Sequence, residues 1–200
     1  MNYAYKKFSL YLMSSLLLTM LGACLGTYQE INLNPSFIKG TLVLSLVLVI
    51  AFLFSKGKLK KILFFIFSFG EGLTLSIILL YTSAVNLMAC MILVVLITAV
   101  FLIIGIKVKS LRFMGGFLFA SLLGLLVYQV IAMFIPLPSL ALLGVFLFSL
   151  YIAFDINMFK IHVQSGVISD DDIINHAMSI YLDILNLLLN LLKIISDITK

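Results

Sequence analysis

Charge is scarce in this chain. Asp, Glu, Lys and Arg make up 10% of its 200 residues, where a soluble globular domain carries about 25%. It also lacks any long polar segment, which leaves no room for a soluble domain. Three prolines are present, Pro35, Pro136 and Pro138, each at a connection or the end of an apolar run. That is where a residue without an N–H and with a fixed φ is tolerated. The two cysteines, Cys24 and Cys90, lie in apolar runs without metal-type spacing and read as small buried side chains. Two histidines make a thin metal set, and there is no Gly-x-Ser-x-Gly elbow, no His-Glu-x-x-His and no phosphate loop. No enzyme and no permanently bound cofactor are expected on those grounds. The formal charge of +5 sits in short connections between apolar runs, so no nucleic-acid partner is expected either.

What the chain has in quantity is hydrophobic residue: 64% of the total, with a mean hydropathy of +1.27. This is the composition of a polytopic membrane protein, an all-α bundle forming one membrane domain over residues 1–200, with the lipid bilayer as its first partner. Seven spans are predicted, each near the roughly 20 residues that cross the hydrocarbon. They are Phe8–Tyr28, Phe37–Phe54, Ile62–Tyr81, Ala84–Ile106, Phe113–Phe134, Leu137–Phe159 and Ile173–Ile195. Lys6 and Lys7 precede the first, four lysines fill the connection from Ser55 to Lys61, and Lys107, Lys109 and Arg112 lie in the fourth connection. Seven spans put all of these on one side, while the other carries only Glu30 and Lys39. The positive-inside rule then places the N-terminus in the cytoplasm and the C-terminus outside. A rival reading notes that Lys6 and Lys7, an apolar run and Leu21-Gly22-Ala23-Cys24 resemble a lipoprotein signal peptide. The apolar run continues past Cys24 to Tyr28, which favours a membrane helix.

Small residues recur four apart in three spans: Gly22 and Gly26; Ser68, Gly72 and Ser76; Gly116, Ala120 and Gly124. Such faces let helix backbones approach closely in lipid. The seventh span carries a different stripe. His176, Ser179, Asp183, Asn186 and Asn190 are spaced three, four, three and four apart, which confines them to an arc of about 100° on one helix. A spanning helix with one polar side turns that side to other helices or to water. Just before it, Ser169-Asp170-Asp171-Asp172 supplies an N-cap and a capping-box residue and places three carboxylates at the positive end of a helix dipole. Asp170, Asp171 and Asp172 can also be read as a cation-attracting vestibule.

Glu71, Asp155 and Asp183 are the carboxylates inside apolar runs. Each ionised Asp near mid-membrane costs about 2.5–3.5 kcal/mol, so two cost about 5–7 kcal/mol, comparable with the stability of a whole domain. An incidental pair is therefore not expected. Asp155 and Asp183 fall in the same half of the membrane on consecutive antiparallel helices, and their depths match better if the sixth helix continues past Phe159 toward Val163. Tyr151 and His162 share a face with Asp155. Carboxyls that meet titrate together, and near neutrality such a pair holds one proton between them. With both protons lost they are hard oxygen ligands suited to a passing Ca²⁺.

Phe148-Ser149-Leu150-Tyr151-Ile152-Ala153-Phe154-Asp155, followed by Tyr181-Leu182-Asp183-Ile184-Leu185-Asn186 and continuing to Leu192, resembles the Bax inhibitor family of seven-span membrane proteins. Glu71-Gly72-Leu73-Thr74-Leu75-Ser76 is similar to that family's third span. The resemblance implies a bundle whose seventh helix is central and wrapped by the other six. It also implies a pH-sensitive calcium leak controlled by an aspartate pair, here Asp155 and Asp183, with a basic companion from the end of the second span, where Lys56 to Lys61 offer lysines but no arginine and the role is not assigned. Short connections suggest a bacterial member in the inner membrane, to which the cell-death role of eukaryotic members does not transfer. The expectation is a cation leak for which calcium and protons are the small partners. Glu71, Tyr151, His162, His176, Ser179, Asn186 and Asn190 are the candidates to line its path. A non-conducting interaction protein and a proton-coupled solute transporter are the alternatives.

Overall fold

The computed structural model describes residues 2–28 and 35–198, and they are helical throughout apart from short connections. Seven α-helices follow in order: α1 Asn2–Tyr28, α2 Pro35–Phe54, α3 Gly57–Leu79, α4 Ala84–Lys107, α5 Gly115–Ala132, α6 Ala141–Gln164 and α7 Asp170–Ile198. A 3₁₀ turn, Arg112–Met114, leads into α5. All but α2 are long and apolar enough to cross a membrane; in α2 the apolar stretch among the described residues is Val43–Phe54. Lipid offers no partner to a backbone N–H or C=O, and a helix satisfies these groups within itself.

Each expected span falls on one helix, but the ends differ. α1 begins five or six residues earlier than the apolar run, carrying Lys6 and Lys7 as helical residues. α6 starts at Ala141 rather than Leu137, after a segment in which Tyr128 donates its hydroxyl to the Pro138 carbonyl. It then runs past Phe159 to Gln164. Polar side chains such as Lys160 and His162 do not interrupt the backbone ladder, and α6 stops only where Gly166 takes a left-handed φ of +77°.

The helices form two compact units. Met1–Ser83 with Ile168–Tyr181 makes the first, and Ala84–Val167 with Leu182–Lys200 makes the second, so α7 supplies residues to both. In the first unit α1 and α3 cross backbone to backbone. A Cβ on Gly22 would strike the Phe69 carbonyl, and one on Gly72 would strike the Thr19 carbonyl, so glycine is required at both positions. The crossing is filled with buried hydroxyls. Thr19 Oγ1 lies 2.9 Å from the carbonyl oxygens of both Ser15 and Ser68, and 2.7 Å from the Tyr181 hydroxyl of α7. Thr19 has one proton to give to a carbonyl, so it accepts from Tyr181. The fully buried Tyr181 ring meets Phe64 and Phe67 of α3 edge-on, with centroids 5.7 and 6.2 Å away.

In the second unit Gly105 of α4 sits against the Ala153 carbonyl of α6. Four residues further along α6, the fully buried Asn157 closes the end of α4. Its Nδ2 donates to the Gly105 and Val108 carbonyls, each at 2.8 Å, and its Oδ1 accepts the Leu111 N–H at 2.8 Å. Lys160 Nζ adds bonds to the Ile106 and Val108 carbonyls at 3.0 and 2.5 Å. The last carbonyls of a helix have no intrahelical donor, and α6 provides one from its side. α5 turns Leu118 and Leu125 inward, which puts the small-residue face opposite them outward. Nothing lies within contact of a Cβ at Gly116 or Gly124, so the close packing expected of that face is not made among the described residues.

α7 is apolar, and from Ile173 to Leu192 it is buried on most of its circumference. It packs on α1 and α3 through Tyr181 in the first unit and on α6 in the second. α4 and α5, by contrast, expose much of their Leu, Ile, Val and Phe surface, as lipid-facing helices do. Cys90 is fully buried in α4. Cys24, expected inside, lies on the exposed face of α1, because the inward face of that turn is taken by Gly22 and Ala23.

Asn157→Leu leaves the Gly105 carbonyl and the Leu111 N–H without their partner. Thermal or denaturant unfolding in detergent should show a loss of about 1–3 kcal/mol, whereas replacing the neighbouring, half-buried Met158 with Leu should change little.

Candidate functional site

The site with most chemistry lies on the α6–α7 seam of the second unit. Because α6 continues to Gln164, Asp155 stands well inside it, as Asp183 does inside α7, and the two carboxyls lie close enough to interact. Asp183 is buried at 7% exposure. Its Oδ2 has no hydrogen-bond partner among the described residues. A hydrogen bond between two carboxyl groups needs a proton on one of them. Tyr151, one turn before Asp155 on α6, lies within the electrostatic reach of both carboxyls. Its ring centroid is 6.3 Å from that of Phe148.

The two asparagines of the stripe follow along α7. Asn186 donates its Nδ2 to the Leu182 carbonyl at 2.9 Å, and Asn190 donates to the Asn186 carbonyl at 2.7 Å. Each amide thereby spends an N–H on its own helix and keeps its oxygen for its surroundings. Asn190 lies directly against Gly144 of α6, where any Cβ would displace its amide. Asp155, Tyr151, Asp183 and Asn190 are thus gathered along α6 and α7.

The other expected site residues are placed elsewhere. His176 is partly buried and Ser179 exposed, on the part of α7 that belongs to the first unit. Glu71, partly buried on α3, hydrogen-bonds to Ser45 of α2 and lies near enough to Tyr181 for their charges to interact. His162 is half-buried near the end of α6.

Asp170, Asp171 and Asp172 are each engaged within the first unit. The Asp170 carboxylate takes both of its short bonds from Lys7 Nζ, at 2.7 and 2.8 Å, and a longer one of 3.4 Å from Lys61. The Asp171 carboxylate accepts the Gly57 N–H at 3.0 Å. Asp172 and Ser169 form a reciprocal capping box: Asp172 Oδ2 accepts the Ser169 N–H at 2.9 Å, and Ser169 Oγ accepts the Asp172 N–H at 3.2 Å. The sequence reading found the cap and missed the ion pairs. The signal for them was available, since Lys7, Lys61 and Asp170 were all assigned to one side of the membrane. Of the lysines considered as companions to the carboxyl pair, Lys60 is buried over the Phe52 ring and Lys61 lies over Tyr11.

As a metal site the carboxyl pair is sparse. Among the described residues no three His, Cys, Asp or Glu side chains converge. Ca²⁺ takes about 6–8 oxygens, so an ion at Asp155 and Asp183 would keep most of its water. The donor set suits passing contact rather than tight retention.

Long apolar helices and an acid pair between two of them define a helical, integral membrane protein of the multi-span class. Residues 2–199 match the model of the family described as Inhibitor of apoptosis-promoting Bax1, and the chain belongs to that family. It is 30% identical to an uncharacterized membrane protein of Streptococcus pyogenes serotype M1 over 80% of this chain and 75% of the relative. A similar relative in serotype M6 is 30% identical over the same shares. An uncharacterized protein of Deinococcus radiodurans is 36% identical over 43% of this chain and 40% of its own length.

Asp170→Asn removes the charged acceptor shared by Lys7 and Lys61. These side chains are a quarter to two-fifths exposed, so water screens them and the loss of stability should stay below about 1 kcal/mol. Unfolding in detergent should show that loss at low ionic strength and a smaller one near 0.5 M salt, about where the Debye length falls to a few ångströms.

Proposed function

We propose that this chain is a pH-sensitive cation leak of the bacterial plasma membrane, with calcium as a permeant ion and the Asp155–Asp183 pair as its gate. The reading rests on the close approach of two carboxyls set in consecutive apolar helices. With a proton shared, a hydrogen bond between them ties α6 to α7. When the last proton leaves, two like charges face each other in a medium of low dielectric and repel strongly. The seam then loosens where the oxygens become ligands for a cation. Tyr151 faces the pair from one turn away, and His162 lies two turns further along the same side of α6 as Asp155. The orientation with the N-terminus in the cytoplasm goes with this reading and follows from the lysines alone.

The sign follows from the latch. Lower pH keeps the pair protonated and bonded, and higher pH discharges it, so calcium entry into vesicles containing only this protein should rise between about pH 6 and pH 8. In Asp183→Asn or Asp155→Asn the amide N–H bonds the remaining carboxylate at every pH, so flux should lose most of its pH dependence. Purified protein that passes no more calcium than empty vesicles at either pH would overturn the channel reading and leave a non-conducting interaction protein.

A further inference from the structure

Three helices of the first unit begin at one end. α1 brings Lys6 and Lys7, α3 brings Lys58, Lys60 and Lys61 just after Lys56, and α7 brings Asp170 to Asp172. The bonds Lys7–Asp170, Lys61–Asp170 and Gly57–Asp171 show that these segments converge. Each charge there can be followed. Lys7 and Lys61 share the Asp170 carboxylate, which offsets one of their two charges, and the Lys7 ammonium is also 4.4 Å from the centre of the Tyr3 ring. Lys60 is buried over Phe52. Asp171 and Asp172 are bound to backbone N–H groups. Lys6, Lys56 and Lys58 remain exposed, and among the described residues no carboxylate forms an ion pair with them.

The geometry makes this more than loose charge. Lys56 and Lys58 flank Gly57, whose left-handed φ of +59° turns the chain into α3. The Asp171 carboxylate on the Gly57 N–H fixes that turn to the start of α7. Lys56 is the N-cap of α3 and makes no side-chain bond to its first turn, which leaves that role to the Asp171 carboxylate. Exposed apolar side chains are interleaved with the lysines: Tyr3 at 64%, Phe54 at 85% and Leu59 at 57% exposure. The candidate spans of α1, α3 and α7 all start here, which sets the lysines at headgroup depth and the apolar side chains beside acyl chains.

We propose that Lys6, Lys56 and Lys58 form a binding site for the phosphodiester headgroup of an anionic phospholipid, with Tyr3, Phe54 and Leu59 against its glycerol and upper acyl chain. A nucleic acid or a soluble anion would leave those apolar side chains unmatched. A zwitterionic lipid would bring a choline cation to a surface that is already positive. The site is independent of the α6–α7 pair and stands whether or not the protein conducts.

The test is thermal unfolding of the full chain in mild detergent with added phosphatidylglycerol, with phosphatidylcholine of the same acyl chains, or with inorganic phosphate. Phosphatidylglycerol should raise the midpoint by several degrees, while the other two leave it near the lipid-free value. K6Q/K56Q/K58Q should lose more than half of that rise and melt like the parent in phosphatidylcholine. K107Q/K109Q, in the basic connection of the second unit, should keep it. Equal shifts with both lipids, or with phosphate alone, would overturn the proposal. So would a full response in the triple variant, or the same loss in K107Q/K109Q. Should the triple variant fail to fold, K58Q alone is read against the same lipids, and an undiminished response overturns the site.

Discussion

A polar group inside hydrocarbon has no water to turn to, and most of the structure follows from that constraint. Asp183 meets it beside a second carboxyl on α6. Thr19, Ser68 and Tyr181 meet it with a closed set of hydroxyl and carbonyl partners at the α1–α3 crossing. Asn186 and Asn190 meet it by bonding back to their own helix, and the carbonyls at the end of α4 meet it by borrowing Asn157 and Lys160. The first of these solutions joins two acids, and the others join neutral or oppositely charged partners. On the function proposed above, that difference separates the place that responds to the medium from the places that hold the fold.

The first unit shows the same constraint acting on shape. Its tightest contact is a crossing in which glycine is the only residue that fits on either side, so the buried hydroxyls are reached by neighbours rather than by solvent. At the end of that unit the opposite regime holds. Charges are partly exposed there, and each bond is individually weak. Their arrangement matters less for stability than for which charges are left over. Three aspartates are consumed in holding helix starts together, and the lysines that outlast them give that end its sign.

Helix number and class were legible in the sequence because apolar runs of spanning length have few other readings. The acid pair was legible because an ionised group in lipid is too costly to be incidental, and because the family resemblance fell on those residues. Other features depended on partners that periodicity does not display. Asn157 looks like one more polar residue in an apolar helix until the carbonyls of α4 arrive beside it. The face of Gly116, Ala120 and Gly124 has the spacing of a packing face, yet Leu118 and Leu125 on the other side of α5 took the interior. A helix can bury only one side against a given neighbour, and composition alone did not say which. The aspartates before α7 read equally as cap or vestibule until Lys7 and Lys61 were found bonded to one of them.

The two thiols differ in a way that makes the chain its own reporter. Cys24 stands on the open face of α1, while Cys90 is sealed inside the second unit. A small maleimide in detergent should therefore count one equivalent from the native protein and two once α4 is exposed. The second equivalent follows the opening of that unit without any added label.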